Sequence, residues 1–167
     1  MIQVYTGNGK GKTTAAMGLA FRAWGQGLSV GIFQFLKSGG RTGEFMAAHR
    51  LGMLFQQYGS GRWIAHRRPE AEEVRLAQAG LEAANEAVKS GTDVVVLDEI
   101  SHAVNLGLLP LDQVLTLLQN SQEGTELVLT GRDMPQAIVD CADLVTEMKE
   151  IKHPFRQGVD ARQGIEY

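Results

Sequence analysis

Gly7-Asn8-Gly9-Lys10-Gly11-Lys12-Thr13-Thr14 is the stretch that decides the fold. It follows a short run of β character, Ile2 to Thr6. It precedes an Ala- and Leu-rich segment, Thr13 to Trp24, that reads as a helix stopped by Gly25 and Gly27. A strand, a glycine-rich turn and a helix in that order form a phosphate-binding loop. Glycines let successive backbone N–H groups turn inward and approach phosphate oxygens closely. The helix starting near Thr13 adds the positive end of its dipole. Lys12 supplies a mobile positive charge for the outer phosphates, and the Thr13 hydroxyl is of the type that ligates magnesium. The loop is nevertheless one position shorter than usual between Gly7 and Gly11, and Thr6 stands where a first glycine is customary. A triphosphate should therefore sit in a different register, so ordinary transfer of the γ-phosphate does not follow from the motif.

Outward from the loop, strands and helices alternate. Leu28 to Phe35 is apolar enough for a buried strand, and residues 36–43 form a loop. A short helix through Ala47 and His49 and a strand near Met53 to Tyr58 are expected next. The segment Pro69 to Lys89 reads as a long helix. Pro69 suits its first turn, Glu70, Glu72 and Glu73 complement the dipole, and Gly91 lies past its end. Val74, Ala77, Leu81, Ala84 and Val88 give it one apolar stripe. Thr92 to Leu97 is an uninterrupted apolar run, as in a central strand covered on both faces. Pro110 to Asn120 is a second amphipathic helix with Leu111, Val114, Leu115 and Leu118 inward. Glu126 to Thr130 is a strand, Pro135 to Ala142 a helix and Leu144 to Met148 the last strand, with a glycine-containing tail beyond Lys152. The expected architecture is a single α/β domain over residues 1–167, a mainly parallel sheet flanked by helices, of the P-loop NTPase (RecA-type) class.

The second chemical signal is Val94-Val95-Val96-Leu97-Asp98-Glu99. A buried strand ending in two acids delivers carboxylates to the carboxyl edge of the sheet, where α/β folds bind ligands. In phosphate-loop proteins that position serves Mg2+, directly or through water. Thr130-Gly131-Arg132 follows another strand, so Arg132 either reaches the site from the same edge or stands as an exposed loop arginine. Arg62-Trp63 and His66-Arg67-Arg68 form a basic loop with one aromatic, which fits either a planar or anionic substrate or a solvated loop with Trp63 packed on the core. Lys152-His153-Pro154-Phe155 is unusual for a tail and fits either a segment folding back over the site or a surface turn. His49 and His102 read as packing or surface residues, and Cys141 as a small core residue.

Composition limits the function classes. The chain has 167 residues, 44% hydrophobic and 21% charged, with a net charge of −3, which describes an ordinary globular protein. Acids and bases are interspersed, with no basic stripe for nucleic acid and no charge run for a membrane surface. One cysteine excludes an internal disulfide and any Cys-rich zinc site, and fits a reducing compartment. No apolar stretch approaches the ~18 residues needed to span a bilayer, so a cytoplasmic location is expected.

Thr6 through Thr14, Gln34-Phe35-Leu36-Lys37, Gly43-Glu44, Val96-Leu97-Asp98-Glu99, Leu129-Thr130-Gly131-Arg132, Lys152-His153-Pro154-Phe155 and Gly164-Ile165-Glu166-Tyr167 together resemble the P-loop corrinoid adenosyltransferases. These act on cob(I)alamin or cob(I)yrinic acid a,c-diamide. The likeness runs through the whole chain in order, and the shortened loop is itself characteristic of that family. The resemblance implies that ATP serves as an adenosyl donor. The Co(I) of a corrinoid attacks the ribose 5′ carbon and expels triphosphate, with ATP bound in a reversed sense. It implies that Gly7, Asn8, Gly9, Lys10, Gly11, Lys12, Thr13 and Thr14, with Arg132, hold the nucleotide, and that Lys12 neutralises the leaving group. Thr13 and Glu99 would bind magnesium with Asp98 in support; Lys12, Thr13 and Glu99 would carry catalysis. Where relatives have a Gly-Phe-x-Trp stretch, this chain has Gly61-Arg62-Trp63-Ile64, so Arg62 and Trp63 are the expected corrinoid contacts. A homodimer is implied, together with a reductant for Co(I), of which a flavoprotein is the expected class. Cover over the site is expected from a partner subunit, the 59–68 loop or the tail 152–167.

Two other classes fit the phosphate loop alone. A P-loop nucleoside kinase would share Gly-Lys-Thr and the Asp-Glu strand end, although kinases resembling thymidine kinase usually carry a four-Cys zinc site. A nucleotide-dependent ATPase switch would share the same features. Both leave ADP, whereas the adenosyltransferase leaves triphosphate.

Overall fold

The computed structural model describes residues 1–39, 42–62, 64, 67–121 and 124–165, apart from the side chains of Phe155 and Gln157. Its elements in chain order are β1 (Ile2–Thr6), α1 (Lys12–Gly25), β2 (Val30–Phe35), α2 (Gly43–Arg50), β3 (Leu54–Tyr58), α3 (Ala71–Lys89), β4 (Val94–Asp98), α4 (Ile100–Asn105), α5 (Leu111–Gln119), β5 (Glu126–Thr130), α6 (Gln136–Cys141) and β6 (Leu144–Glu147). A short 3-10 turn at Pro154–Gln157 follows.

The strands form one six-stranded sheet in the order β3-β2-β4-β5-β1-β6. Every pairing is parallel. The expected α/β class therefore holds, and the sheet is parallel throughout. Alternation along the central strands divides the apolar side chains between two faces. Phe33, Phe35, Val95, Leu97, Leu127 and Leu129 face one core, with Ala77, Leu81, Ala84 and Val88 of α3 and Val114, Leu117 and Leu118 of α5. Ile32, Val94, Val96 and Val128 face the other, under Ala16, Ala20 and Ala23 of α1. Small residues along α1 let that helix lie close to the sheet. Burying Phe33 and Phe35 contributes roughly 2–3 kcal/mol each. Gly80, in the middle of α3, allows a similar approach on the opposite face. A Cβ there would lie 2.7 Å from the Tyr58 ring and 2.9 Å from that of Phe35.

Local differences from the expected pattern have local causes. Pro69 lies before α3, not in its first turn. The N-cap is Glu70, and Glu70 and Glu73 form a reciprocal capping box. Glu73 does more than complement a dipole: only 3% exposed, it accepts hydrogen bonds from Arg67, Ser60 and the Glu70 N–H. In α5, Leu117 is buried, whereas Leu111 and Leu115 are only partly so. Cys141 is exposed and not a core residue. It ends a six-residue helix that buries only Ile138, beside an edge strand whose four residues are all exposed.

Candidate nucleotide site

β1 ends beside β5, but the chain then crosses to β2 on the far side of β4, so the loop between β1 and α1 lies at a switch in strand order. Such a switch opens a crevice at the carboxyl edge of the sheet. The crevice holds a cavity of about 470 Å³ whose wall includes Asn8, Gly9, Lys10, Gly11, Lys12, Thr13 and Thr14. Asp98, Glu99 and Arg132 join that wall from the ends of β4 and β5. Gly7 lies behind it, and its carbonyl accepts a hydrogen bond from Lys12 Nζ at 2.7 Å.

The loop is held from both sides. Lys12, 8% exposed, also donates to the Gly9 carbonyl at 2.8 Å, so its ammonium ties the turn together from within. Burial lowers the Lys12 pKa, the nearby Arg132 charge lowers it further, and Glu99 and Asp98 act in the opposite direction. On the outside, the Gly9 N–H donates to the Met148 carbonyl at 2.7 Å and the Met148 N–H to that of Thr6 at 2.8 Å. A Cβ at Gly7 would lie 2.5 Å, and one at Gly9 2.7 Å, from the Met148 carbonyl oxygen. These glycines therefore let the loop lie directly against the strand end behind it, with no room for a side chain between.

Asp98 is the centre of the polar network. Only 1% exposed, it accepts from Thr13 Oγ1 at 2.9 Å and Thr130 Oγ1 at 2.7 Å on one oxygen, and from Gln34 Nε2 at 2.8 Å on the other. Burial pushes its pKa up, partly offset by those three donors. Gln34 in turn accepts from Gln57 Nε2 at 2.7 Å. This row follows from register, because Gln34 pairs with Gln57 on β3 and with Asp98 on β4, and cross-strand partners in a parallel sheet point to the same face. The sequence signal for Gln34 is a lone glutamine inside the apolar run of β2, and its role in the network emerges only from the cross-strand register.

Glu99 stands outside the network's buried part. Its backbone is left-handed, with φ 62°, and its N–H donates to Thr130 Oγ1 at 3.0 Å. A non-glycine residue in this region costs free energy and is kept where the surroundings enforce it. Burial alone would raise the Glu99 carboxyl, but the His102 ring and the charges of Lys37 and Lys12 outweigh it and hold the pKa below the ordinary value. His102, expected as a packing or surface residue, pairs through Nδ1 with Glu99 Oε2.

Thr13, Asp98 and Glu99 offer hard oxygen donors, which suit magnesium. Among the described residues, no group of three or more His, Cys, Asp or Glu side chains gathers as a metal cage. A cation here would have few protein ligands, leaving positions for phosphate oxygens and water, the usual habit of Mg2+.

His153, Gly164 and Ile165 of the tail also line the cavity, and Lys10 Nζ donates to the Ile165 carbonyl at 3.2 Å. Met17, Lys37 and Glu44 are further wall residues. Arg62 is not part of this wall: its guanidinium is exposed and pairs with Glu70 at 3.3 Å. Trp63 and His66 lie outside the described residues. No helix among the described residues is long and apolar enough to cross a membrane.

The family model of ATP:corrinoid adenosyltransferases BtuR/CobO/CobP matches residues 1–167. The chain is 38% identical over 168 residues to the corrinoid adenosyltransferase of Escherichia coli (strain K12), covering 100% of this chain and 85% of that protein. It is similarly 38% identical to corrinoid adenosyltransferase CobA of Salmonella typhimurium, again over 100% of this chain and 85% of the relative. To the corrinoid adenosyltransferase of Pseudomonas aeruginosa it is 34% identical over 171 residues, covering 100% of this chain and 83% of the relative. With a match over its whole length, the chain belongs to the ATP:corrinoid adenosyltransferase family BtuR/CobO/CobP.

Proposed function

We propose that this protein transfers the 5′-deoxyadenosyl group of ATP to the Co(I) of a reduced corrinoid, cobalamin or cobyrinic acid a,c-diamide, and releases triphosphate. The observation that carries the reading is the cavity that collects Lys12, Arg132 and the amides of the shortened loop in a chain matching the family from end to end. In the step itself, an electron pair on cobalt forms the Co–C bond to C5′ while the C5′–O bond breaks. That bonding pair leaves with the triphosphate, and cobalt becomes formally Co(III). Negative charge grows on the departing oxygen, so fixed positive charge around it lowers the barrier. Nucleophilicity belongs to the corrinoid, and no side-chain nucleophile is needed.

In this reading Gly7, Asn8, Gly9, Lys10, Gly11 and Thr14 cradle the triphosphate. Lys12 exchanges its carbonyl partners for phosphate oxygens, and Arg132 meets the same charge from the β5 side. Bound Mg2+ supplies further charge neutralisation. Thr13 and Glu99 are its protein ligands, and Asp98 holds Thr13 in place. The places of His153, Gly164 and Ile165 in the cavity wall, with the bond from Lys10 to the Ile165 carbonyl, support a role for the tail in covering the nucleotide. Arg62 and Trp63 are the corrinoid contacts in this reading, and Ser60 and Arg67, which flank them in sequence, both bond to Glu73. A homodimer and a flavoprotein reductant complete the proposal.

Nucleoside phosphorylation and an ATPase switch are not favoured, since the family match gives the phosphate loop a different chemistry. Anaerobic incubation with Mg-ATP and chemically reduced cob(I)alamin tests the reading. A light-sensitive cobalt–carbon product is expected, whereas ADP formed without any alkylated corrinoid would return the chain to kinase or switch chemistry.

A further inference from the structure

Arg132 reaches the cavity from the turn between β5 and α6, and that turn is fastened along α4 at successive points. At its start, the Thr130 hydroxyl accepts from the Glu99 N–H at 3.0 Å while donating to Asp98. In its middle, the Ser101 hydroxyl donates to the Arg132 carbonyl at 2.6 Å. At its end, Asn105 Nδ2 donates to the Asp133 carbonyl at 2.9 Å. Ser101 is 0% exposed, so its hydroxyl has no water to turn to. The backbone around it is shaped to fit: Gly131 has φ +143°, and a Cβ there would lie 1.9 Å from Ser101 Oγ. Asp133 is left-handed as well, with φ 48°. A turn carrying both conformations would not keep its shape without partners.

We propose that Ser101 is a positioning residue for anion binding, holding the Arg132 backbone so that Arg132 stays in the cavity wall that Lys12 also lines. The two cations are near enough for the Arg132 charge to act on Lys12. Left to themselves they would repel, and the exposed Arg132 side chain is the one able to swing into solvent. The bond from Ser101 removes backbone freedom from that motion, and its proximity to Glu99 puts the arginine and the acidic edge on one support, helix α4. The inference rests on the reading of the cavity as a triphosphate site.

The test is calorimetric binding of inorganic tripolyphosphate to Ser101→Ala, Arg132→Ala and the double variant, with no corrinoid present. Ser101→Ala should weaken binding roughly five- to tenfold, the loss expected when one buried hydrogen bond is removed. Arg132→Ala should weaken it at least as much, and adding Ser101→Ala to Arg132→Ala should cost nothing further, because both act through one guanidinium. Ser101→Thr, which keeps the hydroxyl, should restore affinity. Should Ser101→Ala fold poorly, the exposed Asn105→Ala loosens the same turn and should weaken binding in the same direction. Additive losses in the double variant, or unchanged affinity in both Ser101→Ala and Asn105→Ala, would overturn the proposal. Wild-type protein that binds tripolyphosphate but makes no alkylated corrinoid would contradict the proposed function and leave the Ser101 inference standing.

Discussion

The hydroxyl of Thr13, in the first turn of α1, donates to Asp98 Oδ1 at 2.9 Å, and so ties the phosphate loop's helix to the end of β4. Thr130 donates to the same oxygen from β5. Three elements that contribute to the cavity therefore meet on one carboxylate. Its geometry depends on Asp98 remaining an acceptor on both oxygens.

Asp98→Asn replaces one acceptor oxygen with an amide that can only donate. Either Gln34 or the Thr13/Thr130 pair then faces a donor, leaving a buried group unsatisfied. A stability loss of about 1–3 kcal/mol is expected, with adenosyl transfer falling by more than about tenfold. Urea denaturation together with initial rates checks both. Unchanged stability with normal turnover would mean that the network does not organise the site.

For Lys12→Ala two effects separate. Removing the ammonium frees the Gly7 and Gly9 carbonyls, and takes away positive charge where negative charge develops. Turnover should drop about 10²–10³-fold, the range seen when one preorganised electrostatic partner is lost. Lys12→Arg should not restore it, because a planar fork does not replace a compact ammonium in a tight loop. Steady-state rates of both variants decide this.

Gly9→Ala tests the role of the strand end behind the loop. The new Cβ would lie 2.7 Å from the Met148 carbonyl and 2.8 Å from Lys149 backbone, and backbone cannot move aside cheaply. A destabilisation of about 1–3 kcal/mol is expected, with a KM for ATP raised at least roughly tenfold because displaced amides no longer converge. A variant with unaltered melting and unaltered KM would show that the loop does not depend on Met148.

Glu73 gives a dependence of stability on pH. The Arg67 guanidinium, the Glu70 N–H and Ser60 hold its carboxyl at about 2, against an ordinary 4.5. A depressed folded-state pKa stabilises the fold above the unfolded-state value and loses that contribution as pH falls from there towards about 2. Glu73→Gln should therefore cost on the order of 2 kcal/mol at neutral pH, and the gap from wild type should narrow at pH near ~3. Denaturation curves at the two pH values measure it; a gap that widens in acid would contradict the assignment.

What could be read from the sequence was whatever is local. The phosphate loop, its missing position and the Asp98-Glu99 strand end are contiguous, and their placement needs only strand–turn–helix order. The apolar stripe of α3 follows from its period. Residues whose importance comes from a distant partner were harder. Nothing near Ser101 announces Arg132, which lies on another strand's exit, and nothing near Gly9 announces Met148. His102 meets Glu99 only because the left-handed Glu99 starts a short helix at once. Cys141 was expected inside because small apolar residues usually are, but α6 is too short and too close to the sheet edge to bury it. Glu73 reads locally as a dipole partner of its helix, whereas its bonds to Ser60 and Arg67 depend on residues outside that helix.

The most direct test of the central claim is phosphorus accounting during turnover with Mg-ATP and cob(I)alamin under anaerobic conditions. One triphosphate should appear for each adenosylated corrinoid, with both absent in Lys12→Ala. ADP and inorganic phosphate released in proportion to ATP consumed, with no triphosphate, would contradict the account.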